Sequence, residues 1–204
     1  MRTLYFFQEN KKAVHEGENT AMDRKETILQ AADALFAREG YSFSMSELAA
    51  AAGIRTPSLY SHFSGKDEIV ELTVQREIAA CRGQLSAAVQ QTQSGPCRSR
   101  LQRLFWFLMA YFAQNDRLRF WKNIALIGSE EVRGRCAAEM DRQNHWFSQE
   151  LEQYFRQGID AGEIRRQDIS GAVYLYYAML LGLQDVGLLA GGSAEYRRQY
   201  AQQV

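Results

Sequence analysis

The 204 residues are 46% hydrophobic and carry 24 basic and 24 acidic side chains, so the chain is long enough to bury a substantial core and has no formal net charge. That balance excludes a partner held by bulk charge alone, because proteins bound mainly by phosphate neutralisation are usually basic. No run reaches the roughly 18 uncharged apolar residues that span a bilayer, and the Leu4-Tyr5-Phe6-Phe7 cluster is too short for a signal-peptide core, so a cytoplasmic protein without membrane contact is expected.

Residues 1–21 are mostly polar and lack helical periodicity, and are expected to form a disordered arm. The first helix is predicted from Arg24 to Glu39, with Ile28, Ala31, Ala32, Leu35 and Phe36 on one face, Asp23 and Glu26 as a capping box and Gly40 as its stop. A short second helix follows, with Ser44 as cap, Glu47 reaching back and Phe43 stapling against Leu48. Gly53 suits a left-handed stop, Ile54 plugs inward, and a third helix is expected with Thr56 as cap and Pro57 at its first position. A long helix from near Lys66 to Gln91, capped by Ser64, ends at Ser94-Gly95-Pro96. With only two prolines and no sustained alternation of period two, the whole chain is predicted to be all-α.

Two short helices joined by a tight glycine-containing turn and set on a longer first helix outline a helix-turn-helix, although other small bundles share that outline. The segment from Ser44 to Leu72 adds detail: Leu48-Ala49, Ala52-Gly53-Ile54, Arg55-Thr56, Pro57-Ser58, Leu59-Tyr60-Ser61-His62-Phe63 and Lys66-Asp67-Glu68-Ile69. In that order it closely resembles the DNA-binding region of the TetR family, over about 50 residues from Asp23 to Leu72. The resemblance implies a three-helix DNA-binding domain at 22–68, an effector-binding and dimerisation domain at 69–204, and a homodimeric repressor released from a palindromic double-stranded operator by a small hydrophobic or aromatic ligand.

Chemistry assigns roles within the segment. Tyr60, His62 and Lys66 supply hydroxyl, imidazole and ammonium donors for one stretch of phosphate backbone, and the helix N-termini at Ser44, with Met45 beside it, and at Thr56 add backbone donors. Arg55, Thr56, Pro57, Ser58 and Ser61 are left to read base edges. Each has a plainer alternative: Tyr60 completes the small core, His62 is a solvated cap, or Arg55 pairs with Glu47. Thr56-Pro57 stands where many family members carry Lys-Gly, so base preference does not transfer. Five basic residues face seven acidic ones between Met22 and Glu68. One copy should therefore bind DNA weakly, and pairing of two copies is the physical remedy.

The remaining helices offer two seams for that pairing, one through Ile169, Ala172, Val173, Tyr176, Leu180, Leu183 and Gly187, the other through Met140, Asn144, Phe147, Leu151 and Tyr154. Two such helices from each subunit would make a four-helix interface, the alternative being that one of the seams is internal core. Between reader and seams lies an aromatic-rich region, and Phe105, Trp106, Met109, Phe112, Phe120, Trp121, His145, Trp146, Tyr174 and Tyr177 are the candidates for an effector pocket, core packing being the alternative for each. The scattered Cys81, Cys97 and Cys136 and the isolated His15, His62 and His145 form no metal-ligand or disulfide pattern. No catalytic motif stands out, so neither an enzyme nor a cofactor is expected. A helical homodimer with a structural or interaction role and no DNA binding is the alternative.

Overall fold

A computed structural model describes residues 24–113 and 116–189. The expected N-terminal arm and the Asp23 half of the first capping box lie outside these residues. Eight α-helices are present among the described residues: α1 (24–39), α2 (Met45–Ala51), α3 (Thr56–Tyr60), α4 (Lys66–Gln91), α5 (Cys97–Phe112), α6 (Arg117–Ile124), α7 (Glu130–Asp160) and α8 (Ile169–Leu189), with a 3-10 turn at Gly40–Ser42.

Local chemistry accounts for the helix ends. Gly40 and Gly53 take φ of +62° and +67°, the left-handed stops that glycine tolerates. Ser44 and Glu47 form the expected capping box, with the Glu47 backbone N–H donating to Ser44 Oγ over 3.1 Å and the Ser44 N–H donating to the Glu47 carboxylate over 2.7 Å. Two cap assignments shift. Arg55, in extended conformation, is the N-cap of α3, so Thr56 lies within the helix and Pro57 falls one residue later than expected. Gly65 rather than Ser64 is the N-cap of α4, while Ser64 donates through its backbone N–H and hydroxyl to Glu68.

The interior divides into two apolar clusters. The first joins α1, α2 and α3 to the start of α4, and also takes in Phe120 and Ile124 of α6, Ile127, and Val132 and Cys136 of α7. Its centre is Phe36, fully buried, with the Phe120 ring packed edge-on at 4.9 Å. The second cluster gathers the far half of α4 with α5, α7 and α8. A buried polar lattice ties its lower end: Arg100 donates to Thr92 O over 2.9 Å and to Gln157 over 2.6 Å while stacking 3.8 Å from the Tyr154 ring. The Tyr154 hydroxyl donates to Val89 O over 2.9 Å.

Both predicted seams prove to be largely internal. Phe147, Leu151, Tyr154, Val173, Tyr176 and Leu180 are buried within the second cluster of a single chain. The face of α8 left outside is the adjacent one, where Tyr174 and Leu175 are 73% and 67% exposed and Met179 and Leu181 are also open.

Candidate functional site

α2 and α3 rest on α1 through Leu48, Ala49 and Leu59, all buried, with Phe63 closing the unit beneath. Ile54 in the intervening turn packs against the same cluster. With the apolar side chains turned in, the outer side of α3 and its flanks is polar. Arg55, Pro57, Ser58, Tyr60 and Ser61 are exposed, Tyr60 by 56%. Ser44 is exposed but engaged in its capping box, while Met45, Thr56 and His62 are half-buried, Met45 against the core. The Ser61 hydroxyl donates to Ser58 O over 2.7 Å, leaving its oxygen lone pairs free to accept.

Lys66 is more constrained than its sequence position suggests. Its ammonium donates to the Tyr41 carbonyl and sits 4.3 Å and 5.0 Å from the centres of the Tyr41 and Phe43 rings. Burial pushes its pKa below the usual lysine range, against the opposing pull of Asp67 and Glu47. Glu47, in turn, makes no ion pair with Arg55 among the described residues; hydrogen bonds from Ser44 hold its carboxyl below the ordinary range. Arg55 is left as an exposed cation on the outer face.

Behind this unit, α4 to α8 line a partly open cavity of about 290 Å³. Leu108 and Phe112 of α5, Trp121 of α6 and Phe147 of α7 give it an apolar wall, closed by Tyr177 and Leu180 of α8. Of the ten residues predicted for such a pocket, Phe112, Trp121 and Tyr177 line it. The others are elsewhere. Phe105, Trp106 and Met109 pack in or against the second core, Phe120 fills the first core against Phe36, and Trp146 lies beneath the Arg82 guanidinium at 5.1 Å. His145 is exposed, and Tyr174 lines an open groove between α7 and α8.

The wall also holds polar residues that the aromatic criterion missed. Gln143 and Gln184 are each only 5% exposed, and Gln143 Oε1, Gln184 Nε2 and Trp121 Nε1 are buried without a protein partner. Lys122 lines the cavity too, with its ammonium 2.6 Å from Asp185. The readable signal for Gln143 was its place in the apolar stripe Cys136, Met140, Phe147, Leu151, where a glutamine interrupts helical spacing. Among the described residues no helix is long and apolar enough to cross a membrane, and no group of side chains is arranged to hold a metal ion.

The architecture is thus a helix-turn-helix unit carried on a helical body with a partly open cavity. Residues 28–73 match the family described as bacterial regulatory proteins, tetR family. An uncharacterized HTH-type transcriptional regulator of Bacillus subtilis, YvaF, is 36% identical over 73 residues, which are 36% of this chain and 37% of that protein. The likeness in sequence to the tetR family is thus carried by the helix-turn-helix segment. Over longer spans the likeness is one of fold. A protein from Saccharomonospora viridis solved in complex with choline superposes with a TM-score of 0.72 at 21% identity, over 89% of this chain and 95% of that one. AibR, solved with isovaleryl coenzyme A and operator DNA, gives a TM-score of 0.62 at 21% identity, over 79% of this chain and 86% of its own.

Proposed function

We propose that the chain is a cytoplasmic, homodimeric transcriptional repressor that binds a palindromic operator through α2 and α3 and is released by a small apolar ligand held between α4 and α8. The observation that carries this reading is the outer face of α3. There an unpaired Arg55 stands beside exposed Pro57, Ser58, Tyr60 and Ser61, on a unit whose larger apolar residues, Leu48, Leu59 and Phe63, are buried. Arg55 and Ser58 suit base edges, while Tyr60 and His62 suit phosphate. Lys66 contributes positive charge from a fixed position beside Tyr41, with the rings beneath it. Residues 69–204 then serve as the effector-binding and dimerisation part.

The route from ligand to DNA runs through α6 as well as α4. Leu118, Trp121 and Lys122 face the cavity, whereas Phe120 and Ile124 of the same helix are embedded in the core of the DNA-binding unit. A ligand that displaces α6 therefore moves the support of α1, and two readers in a dimer lose their common register. AibR, of similar fold, was solved with both an acyl coenzyme A and operator DNA, which supports a two-site reading.

The test is footprinting and gel shift on the DNA flanking the chain's own coding sequence. Wild type should protect a two-fold symmetric site. Arg55→Ala should weaken it by about 1–3 kcal/mol and relax preference at one position per half-site, and Tyr60→Ala should weaken all sequences alike. Failure to protect any site, with the dimer intact, would favour the structural alternative.

A further inference from the structure

We propose that the cavity selects an uncharged, mainly apolar ligand whose head group both accepts and donates hydrogen bonds, a carboxamide being the simplest such group. This rests on reading the cavity as the effector site. Three helices contribute the relevant groups: Trp121 from α6, Gln143 from α7 and Gln184 from α8. Two donors, Trp121 Nε1 and Gln184 Nε2, and one acceptor, Gln143 Oε1, have no protein partner and no open surface, so an occupant meets them by drawing these lining side chains round towards it. Buried polar groups are normally satisfied, and leaving one unmet is costly, so unmet groups in the wall of a cavity define what an occupant should bring. A carbonyl oxygen answers the two donors. An N–H or O–H answers the acceptor.

Charge narrows the class further. Among the described residues no carboxylate lines the cavity, so a cationic ligand would lose its hydration without gaining a counter-ion. Nor do the rings form a cage. Phe112 meets Trp121 edge to face at 5.8 Å, and Phe147 meets Tyr177 in the same way at 5.7 Å, so the aromatics are packed as two separate pairs. An anionic ligand fares no better, because Lys122, the cation in the lining, is already held by Asp185 across 2.6 Å. The glutamines, by contrast, complement a neutral amide with its own donor and acceptor.

Calorimetric titration of the full chain with four probes sharing one frame tests this: 3-phenylpropanamide, 3-phenylpropanoate, 3-phenylpropyltrimethylammonium and propylbenzene. The amide should bind about tenfold more tightly than each of the others, the scale of one net hydrogen bond or slightly more. Gln143→Leu and Gln184→Leu, singly and together, should erode that preference while leaving propylbenzene binding intact or stronger. Trp121→Phe, which keeps the ring and removes the N–H, should act in the same direction. The inference is overturned if either charged probe equals the amide, if the preference survives in the double variant, or if the amide does not bind. A gel shift in parallel separates the two readings. Amide binding by a protein without an operator would remove the regulator and leave the ligand class, whereas operator binding without amide binding would do the reverse.

Discussion

Asn123 of α6 donates through one amide nitrogen to the carbonyls of Phe36, over 2.8 Å, and Ala37, over 3.3 Å, in the last turn of α1. Those carbonyls belong to a helix end, where backbone acceptors lack partners within the helix. A side chain from the helical body thus completes a helix of the helix-turn-helix unit. The approach is close: a Cβ on Gly40, which ends α1, would lie 3.2 Å from the Asn123 side chain.

Replacing this residue should separate stability from signalling. Asn123→Ala removes two hydrogen bonds at a half-buried site and is expected to cost about 1–2 kcal/mol in urea unfolding. If α6 carries the response, the variant should also bind operator with little change yet release it less completely at saturating ligand. A variant that loses stability but keeps the full response would show that α4 alone transmits the signal.

Gly158 is a second tight point. A Cβ there would fall 2.7 Å from Cys97 Sγ and 2.8 Å from Ile164 Cδ1, where α7, the start of α5 and the turn after α7 converge. From that turn the Glu163 and Ile164 N–H groups donate to Gly158 O, and the Glu163 carboxylate accepts from the Cys97 backbone N–H at the start of α5. Gly158→Ala should therefore destabilise by about 1–3 kcal/mol through overpacking, outweighing the better helix propensity of alanine. Thermal unfolding is the direct measurement. An unchanged or raised Tm would mean that Cys97 and Ile164 yield without cost.

A third expectation concerns pH. Burial pushes the Asp33 carboxyl up to about 6; Arg76, 3.6 Å away, opposes that rise, and Glu77 and Glu26 add to it. A carboxyl whose folded pKa is raised binds its proton more tightly in the folded state. Its contribution is full below the unfolded pKa near 4 and is lost as pH rises towards 6. Asp33→Asn should remove that dependence, so the difference in unfolding free energy between variant and wild type should grow in the variant's favour from pH 4 to pH 6. A difference that stays flat over this interval would show that Arg76 keeps the carboxylate ionised throughout.

Much of the helix-turn-helix unit was legible in the sequence because short helices declare their ends locally. Ser44 with Glu47, Gly40 and Gly53 each act within one turn, and their chemistry depends on little beyond neighbouring residues. The cap moved from Thr56 to Arg55 because Arg55 holds the extended conformation of a cap, and Pro57 is tolerated one position further in, where the first turn asks for no N–H donor. The cavity was harder. Aromatic content marks regions that must be buried without saying whether a ring faces a void or another ring, and Phe105 and Phe120 went to core while Phe112 and Trp121 did not. Gln143 and Gln184 carried the more telling signal as polar interruptions of apolar stripes. Seams failed for a related reason: α8 is apolar almost all round, so heptad spacing through Val173, Tyr176 and Leu180 could not say which face turns inward.

The outer face of α8 provides the last prediction. Tyr174, Leu175 and Met179 project outward around the small residues Ala178 and Gly182, and an added Cβ at Gly182 would meet nothing within 4 Å. Contiguous exposed apolar surface of this kind calls for a partner, and small residues at its centre allow helices to approach closely. If a second copy covers it, Leu175→Glu and Met179→Glu should each shift the chain from dimer to monomer in sedimentation equilibrium while preserving helicity, since neither side chain belongs to the buried core. Operator affinity should then fall much further than for Arg55→Ala, because two locally acidic readers bind well only when joined. Dimers that persist in both variants would place the interface elsewhere.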